Sequence, residues 1–249
     1  MSRYEFDAPR LFVDQPMSEG AILTMDRDQA NYLLNVLRLR EGDKILTFNG
    51  RNGEWLASVG PGSRKSAPLM LERQTRPQEF GPDLHYLFAP LKHARLDYMV
   101  QKAAEMGVSR LSPVFTRRTQ NTRINLERMR ANAIEAAEQC GILCVPEVDE
   151  PVKFEQIIAN WPADRLLIVC DEDAPVLDPV RALEAVKEKA AKTALLIGPE
   201  GGFDPAERKL FGQMEGALII SLGPRILRAD TAAVAALALV QATLGDWRS

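Results

Sequence analysis

The stretch best suited to chemistry is a glycine-rich bend at residues 198–202 (GPEGG), directly after the apolar run 194–197. Residues 204–207 (DPAE) then start like a helix, with aspartate as the cap, proline in the first turn and glutamate three residues on. Ligands of parallel α/β sheets bind beyond the carboxyl ends of strands, where glycines let the backbone approach them. The pattern therefore favours a ligand site, although an ordinary turn is the alternative.

The residues of the bend indicate which classes of ligand it can bind. The sequence has neither GxxxxGK[ST] nor GxGxxG, so the usual phosphate-binding loops are excluded. Glu200 lies within the bend, and its carboxylate would repel a phosphate group. A sugar with hydroxyl groups, or a cationic ligand, fits this bend better.

A second bend follows the apolar run 218–220 and leads into the last helix. It places Arg225 and Arg228 in otherwise apolar surroundings, where an arginine needs a partner or a task. An ion pair of Arg228 with Asp230 or Glu200 is the structural alternative. Thr231 is a candidate either to cap the last helix or to reach a ligand.

Residues 83–249 alternate between apolar runs and helical patterns, which predicts an α/β domain with a mainly parallel sheet. Strands are predicted at 84–89, 111–115, 166–170, 194–197 and 218–220, and helices at 96–106, 126–140, 179–191, 204 onward and 230–244. The last helix is apolar on every side, so it lies either at the centre of the domain or at a subunit interface.

Residues 1–75 read instead as a small β-barrel domain. The alternating segments 44–48 and 54–59 flank the turn sequence NGRNG, which is a clear hairpin signal. Residues 26–37 have helical spacing, and short strands are predicted at 10–13 and 67–71. Residues 76–82, with two prolines and a glycine, are the predicted linker.

The charge of the chain is unevenly distributed. The net charge is −3, but residues 76–130 hold ten lysines and arginines against five aspartates and glutamates. A polyanion responds to charge within about 8–10 Å, so this segment is a candidate surface for nucleic acid, with an ordinary solvated face as the alternative. The sequence has three cysteines and no CxxC pair, which argues against disulfides and a structural zinc site. It also has no apolar run long enough to span a membrane. These features together predict a cytoplasmic protein without a metal.

Several segments together resemble one known family. LLIGPEGGF (195–203) followed by LGPRILRADTA (222–232) is similar to the paired signature of the SPOUT methyltransferases. More narrowly, the chain resembles the RsmE family, which methylates N3 of a uridine in 16S ribosomal RNA. Residues 95–108, 135–141 and 36–43 resemble further segments of that family, so the likeness spans most of the chain. The sequence departs from the family at Asn31, Tyr32 and Ile142, where contacts with RNA are expected.

The resemblance implies a PUA-like barrel (residues 1–75), a linker (76–82) and a SPOUT domain (83–249) with a trefoil knot. It also implies a homodimer that binds S-adenosylmethionine. The cofactor contacts carried over from the family are Leu196, Ile197, Gly198, Pro199, Glu200, Gly201, Leu222, Gly223, Ile226, Leu227, Arg228 and Thr231.

Methylation of N3 needs either a base that removes the N3 proton or a group that stabilises the anion left on the flanking carbonyl oxygens. Arg228 is the candidate for stabilising the anion. Glu200 and Asp230 are the candidates for the base, and holding the cofactor is the alternative role of Glu200.

The expected partner is 16S ribosomal RNA within the small ribosomal subunit, held mainly through its phosphates. The candidate RNA contacts are Arg10, Arg38, Arg40, Lys92, Arg95, Arg117, Arg118 and Arg123. Three alternatives stay open. They are another SPOUT enzyme that methylates a ribose 2′-hydroxyl or a tRNA base, a non-catalytic RNA-binding or assembly protein, and a protein that binds a phosphorylated nucleotide.

Overall fold

The structure is a computed structural model that describes residues 8–61, 67–175 and 178–248. The chain divides into two compact units. The first comprises Met1–Phe80 and Ala137–Cys144, and the second comprises Gly81–Ala136 and Val145–Ser249. The predicted division at the linker 76–82 assigns all later residues to the second domain. In the structure, residues 137–144 belong to the first unit instead.

The first unit is built on one sheet with the strand order β1-β3-β4-β5-β2. Its strands are β1 (Arg10–Phe12), β2 (Ile22–Leu23), β3 (Lys44–Phe48), β4 (Glu54–Val59) and β5 (Leu69–Arg76). Strand β1 runs parallel to β3, and the other neighbours are antiparallel. The side chains of Leu11, Leu23, Ile45 and Leu69 meet in its core.

The predicted hairpin is confirmed as β3 and β4. The side chain of Asn49 accepts the backbone N–H groups of Arg51 and Asn52 at 2.9 and 2.8 Å, which closes the turn. Gly53 has φ +76°, and a Cβ there would lie 2.3 Å from the carbonyl oxygen of Arg76, so only glycine fits. The predicted helix 26–37 is less regular than expected, because α1 (Arg27–Asn31) passes into a π-helix at Tyr32–Val36.

The second unit contains a parallel sheet with the main order β12-β10-β11-β6-β7-β8, and β9 pairs with β7. Its strands are β6 (Leu84–Phe88), β7 (Arg110–Phe115), β8 (Glu147–Val148), β9 (Val152–Lys153), β10 (Leu166–Cys170), β11 (Thr193–Ile197) and β12 (Ala217–Ile220). Strand β11 is buried along its whole length, as its continuous apolar sequence predicts for a central parallel strand.

The helices alternate with these strands along the sequence, and the last helix follows β12. They are α2 (His93–Glu105), α3 (Leu126–Gln139), α4 (Phe154–Ala159), α5 (Pro179–Ala185), α6 (Pro205–Gly212) and α7 (Ala229–Thr243). Alternate side chains of β11 enter two different cores: Leu195 and Ile197 join the one containing α2 and α7, and Leu196 joins the one containing Phe154 and Phe211. The alternation of helices and parallel strands confirms the predicted α/β class.

Two predicted helix starts are confirmed in detail. Asp204 and Glu207 form the capping box of α6, with Pro205 in its first turn, and the side chain of Asn125 accepts the backbone N–H of Arg128 at 3.0 Å at the start of α3. Helix α5 ends at Ala185, earlier than predicted, and a 3₁₀ turn follows at Lys187–Lys189. Within the described residues, no helix combines the length and apolar character needed to cross a membrane.

Candidate active site

A cavity of about 400 Å³ opens at the carboxyl ends of β10, β11 and β12 in the second unit. The sheet register places Cys170, Ile197 and Ile220, the last residues of these strands, side by side. The three loops that follow them and the start of α7 form the walls, with Asp171, Glu172, Ile197–Glu200, Gly202, Phe203 and Ser221–Ala229 among the lining residues. The volume lies within the range of ordinary small-molecule sites, which is about 300–1,000 Å³.

The first bend, residues 198–202, is closed by internal contacts that require its glycines. The backbone N–H of Gly202 donates to the carbonyl of Pro199 at 2.9 Å. A Cβ at Gly198 would lie 2.8 Å from the buried ring of Phe203, and Gly202 has φ +69°. Because larger residues would disturb both positions, the bend is a preformed wall of the cavity.

The second bend, residues 221–228, is held less tightly. The Ser221 hydroxyl donates to the carbonyl of Gly223 at 3.3 Å, and Gly223 has φ +103°. Ile226 is 89% exposed although it lines the cavity. Within the described residues, the backbone N–H groups of Gly223, Ile226 and Leu227 meet no protein acceptor, so they are available to a ligand.

Arg225 and Arg228 add positive charge to the second bend. Both are exposed, and Arg228 occupies the N-cap position of α7, where the helix dipole adds further positive potential. Across the residues that the structure describes, neither guanidinium pairs with a carboxylate. The alternative ion pair of Arg228 is therefore not observed: Glu200 pairs with Arg95, and Asp230 accepts the backbone N–H of Thr231 at 2.9 Å.

The part of the cavity wall formed by the loop after β10 is acidic. Asp171 and Glu172 follow β10 and line the cavity, with Asp173 next to them. Arg208 on α6 binds both carboxylate oxygens of Asp171 at 2.8 Å and the carboxylate of Asp173 at 2.6 Å. The expected site residues do not include this loop, although an acidic run at the end of an apolar parallel strand is a signal for a ligand site.

Two groups at or beside the cavity, the thiol of Cys170 and the phenol of Tyr86, have raised pKa values. Burial raises the pKa of the Cys170 thiol to about 12, so it stays protonated and is a poor nucleophile. Burial also raises the pKa of Tyr86, whose hydroxyl contacts the sulfur of Met99 at 3.1 Å.

The structure brings most of the predicted cofactor contacts to the cavity wall. Those that line it are Ile197, Gly198, Pro199, Glu200, Leu222, Gly223, Ile226, Leu227 and Arg228. Leu196 is buried on the other face of β11, and neither Gly201 nor Thr231 belongs to the lining. Thr231 is also not the helix cap, because α7 begins at Ala229. Of the three catalytic candidates, Arg228 and Glu200 face the cavity, whereas Asp230 does not line it.

The prediction that Arg10 binds RNA is contradicted by its environment within the first unit. Arg10 is 7% exposed and forms an ion pair with Glu54 at 3.0 Å. Its other nitrogens donate to the backbone carbonyls of Ala137, Glu138 and Ile142 at the end of α3. Because its donors are engaged inside the protein, Arg10 is a structural residue.

The other RNA candidates lie at the surface. Arg38 and Arg40 are exposed, and Arg38 has the unusual φ of +58°. Arg123 is also exposed. Each of these three side chains is accessible to a phosphate group.

Four basic candidates of the second unit lie beside the first bend. Arg95 pairs with Glu200, Arg118 donates to the carbonyl of Gly201 at 2.9 Å, and Lys92 shares a small depression with Arg118 and Glu200. Arg117 pairs with Glu155 and Asp204 at 3.5 and 3.3 Å. A basic rim therefore borders the cavity.

Both parts of the chain match models of RNA methyltransferase families. A family model described as an RNA methyltransferase domain matches residues 78–241, and one described as an RNA methyltransferase PUA domain matches residues 26–67. A ribosomal RNA small subunit methyltransferase E from Synechocystis is 31% identical, over 95% of this chain and 78% of its own. One from Rickettsia conorii is 27% identical, over 93% and 94%.

Two solved structures share the fold over nearly the whole chain. A methyltransferase from Legionella pneumophila in complex with the bound cofactor SAM has a TM-score of 0.81 at 30% identity, covering 96% of this chain and 99% of that one. A ribosomal RNA small subunit methyltransferase E from Neisseria gonorrhoeae bound to S-adenosyl methionine has a TM-score of 0.83 at 26% identity, with the same coverage.

Proposed function

The chain belongs to the family of ribosomal RNA small subunit methyltransferases E (RsmE), and we propose that it methylates N3 of one uridine in 16S ribosomal RNA with S-adenosylmethionine. The observation that carries this proposal is the meeting of the two bends. They form one cavity with an exposed guanidinium, that of Arg228, at its edge. A methyl donor needs such a pocket, and an RNA base needs access to it.

The residues of the cavity fit S-adenosylmethionine. Leu222, Ile226 and Leu227 offer apolar contacts for a purine ring, and nearby backbone N–H groups can bind its polar edges. Glu172 and Glu200 provide carboxylates for the cationic groups or the ribose hydroxyls. When bound, S-adenosylmethionine supplies a methyl carbon attached to a positively charged sulfur.

The protein's task is then to position uracil and to manage one proton. N3 is protonated at neutral pH, and its loss of the proton leaves negative charge on the two flanking carbonyl oxygens. Arg228 carries a guanidinium at the cavity edge, where it can stabilise this charge. Glu200 faces the same cavity and is the better candidate than Asp230 for accepting the proton.

The RNA must present an unpaired uridine, because N3 lies on the edge that forms base pairs. We infer that Lys92, Arg95 and Arg118 hold the phosphates nearest the cavity. Arg117 and Arg123 in the second unit, and Arg38 and Arg40 in the first, add contacts further along the RNA. Several phosphate contacts make binding strongly dependent on salt.

The decisive experiment is methylation of small ribosomal subunits and of naked 16S ribosomal RNA from a strain that lacks the modification. Nucleoside mass spectrometry should detect 3-methyluridine at one position, with the subunit as the better substrate. A 2′-O-methyl nucleoside, or methylation of tRNA alone, would contradict the proposed target and support another SPOUT reaction. Calorimetry that shows no binding of S-adenosylmethionine would support a non-catalytic RNA-binding protein, and preferential binding of ATP would support a nucleotide-binding protein.

We further infer that the enzyme is a homodimer that works on ribosomal subunits in the cytoplasm. Helix α7 keeps the apolar residues Val234, Ala235, Ala238 and Leu239 partly exposed, which is a face that a second copy could cover. Sedimentation equilibrium should give twice the chain mass of 27.7 kDa. The variant Ala238→Glu should shift it toward the monomer, and a monomeric wild-type protein would contradict the inference.

A further inference from the structure

Building on the proposed function, we propose that Glu172, held in place by Arg208, makes the cavity select the cationic methyl donor over the neutral product of methyl transfer. Glu172 was not among the cofactor residues expected from the sequence. It would be a specificity-determining residue, and Arg208 a positioning residue that acts through it.

Arg208 fixes the loop that carries Glu172. Its guanidinium binds Asp171 through two hydrogen bonds of 2.8 Å and reaches Asp173 at 2.6 Å, so the residues on both sides of Glu172 are tethered to α6. Asp171 is the buried anchor, with only 5% of its side chain exposed. A bidentate pair of this kind restrains direction as well as distance.

The carboxylate of Glu172 lies against the first bend. A Cβ placed on Gly202 would lie 2.5 Å from Oε1 of Glu172, and the same oxygen is 3.6 Å from Arg208. The side chain is 52% exposed and lines the cavity. Glu172 is therefore directed by its neighbours while remaining accessible to a ligand.

The charges of the walls suit a ligand with one anionic and one cationic region. The loop of Asp171, Glu172 and Asp173 has three carboxylates for the single guanidinium of Arg208, which leaves an excess of two negative charges. Arg225 and Arg228 supply positive charge on the second bend, which is another part of the same cavity lining. The anionic region of a ligand is thus directed toward the second bend and its cationic region toward Glu172.

This polarity distinguishes the donor from the product. S-adenosylmethionine has a sulfonium, an ammonium and a carboxylate, for a net charge of +1, whereas S-adenosylhomocysteine lacks the sulfonium and is neutral overall. The two molecules otherwise make similar contacts. A fixed carboxylate near the sulfur therefore adds an attraction for the donor that the product lacks, so the product is held less tightly than the donor and leaves more readily after each turnover.

The test is calorimetric titration of the intact protein with each of the two molecules. For Glu172→Gln we expect binding of S-adenosylmethionine to weaken roughly three- to tenfold, while S-adenosylhomocysteine changes by less than about twofold. The matched control is Asp173→Asn, which removes the same charge one residue away, from a side chain that does not line the cavity. The asparagine keeps a carbonyl oxygen that can still accept from Arg208, so the tether of the loop is retained. Its preference for the donor should fall by at most about a third of that change.

Arg208→Met separates positioning from simple charge. If only the potential of the wall mattered, removal of this positive charge would strengthen binding of the donor. If Arg208 positions Glu172, the preference for the donor should fall despite the added negative potential. Melting curves identify a variant that fails to fold, and Glu172→Gln provides the test in that case.

The outcomes distinguish this inference from the proposed function. Equal effects of Glu172→Gln and Asp173→Asn, or an unchanged preference in Glu172→Gln, overturn the inference alone. A wild-type protein that prefers the donor but leaves 16S ribosomal RNA unmethylated keeps the inference and overturns the target. A wild-type protein that binds neither molecule overturns both.

Discussion

At the amino ends of the strands in the second unit, charged side chains meet partners within the protein. Asp83 binds Arg165 through two hydrogen bonds of 2.8 and 2.9 Å and lies 3.2 Å from the imidazole of His85. Arg110 pairs with Glu147, the first residue of β8, and Lys192 pairs with Asp164 at 2.6 Å. These pairs join residues that precede or begin strands β6, β7, β8, β10 and β11, so they hold the strand ends together.

The carboxyl ends of the same strands differ, because part of their charge faces a cavity and not a protein partner. Arg225 and Arg228 pair with no carboxylate of the described residues, and Glu172 is half exposed beside Gly202. The difference shows how to separate structural from functional charge on one sheet. Substitutions at the amino ends should change stability, and those at the carboxyl ends should change binding and catalysis.

The largest expected effect is that of Arg228→Ala at the carboxyl ends. Loss of a charge that stabilises the reacting group costs about 10²- to 10³-fold in turnover by analogy with other single donors. The fold should persist, because Arg228 is exposed and makes no ion pair in the described structure. Single-turnover methylation rates and circular dichroism measure the two quantities.

Arg165→Met at the amino ends is the matched control for that substitution. It should lower the melting temperature and leave the rate of methyl transfer by the folded protein close to normal. Near-normal turnover in Arg228→Ala would remove Arg228 from the catalytic residues.

The sequence was sufficient for the elements that local patterns define. Strands β3, β4 and β10 have the predicted bounds, and the capping box of α6 was predicted residue by residue. These features depend on side-chain periodicity and on contacts within four residues. The family resemblance added the pairing of the two bends, which lie apart in sequence.

Contacts between residues far apart in the sequence cannot be predicted from such local patterns. Arg10 has the charge and position of an RNA contact, but its partners on residues 137–142 lie more than a hundred residues away. The role of the loop after β10 depends on Arg208, which belongs to helix α6, more than thirty residues further along the chain. No local spacing connects either pair.

A second, smaller effect is expected from Gly202→Ala in the first bend. The residue needs φ +69°, and its Cβ would displace Glu172, so we expect a loss of about 1–3 kcal/mol in the free energy of unfolding together with weaker binding of the donor. Gly201→Ala is the control, because the nearest side-chain atom to its Cβ is 3.8 Å away. Thermal melts and calorimetry compare the two, and equal effects would show that the bend is not a preformed wall.

The amino ends can be tested by pH. Burial lowers the pKa of His85 to about 4, so in the folded protein it stays neutral where the unfolded chain, with an ordinary pKa of 6.5, becomes protonated. Stability from this group is fully present above about pH 6.5 and is lost as the pH falls toward 4, by about 1–2 kcal/mol after allowance for partial exposure. Denaturant unfolding at several pH values should show this slope in the wild type and not in His85→Gln; the same slope in both would exclude His85 as its source.

The smallest effect is expected for the pair of Arg95 and Glu200, which belongs to the carboxyl ends although both charges have a partner. Their side chains are 42% and 44% exposed, so their coupling should contribute less than about 1 kcal/mol to stability in a double-mutant cycle of Arg95→Met and Glu200→Gln. If Arg95 also binds a phosphate, Arg95→Met should make the plot of log RNA affinity against log salt concentration less steep, by about the amount that one phosphate contact contributes. A coupling above about 2 kcal/mol with an unchanged salt slope would mean that this pair acts like those at the amino ends. Ion pairs at both ends of the sheet would then stabilise the fold, and the distinction between the two ends would not hold for paired charges.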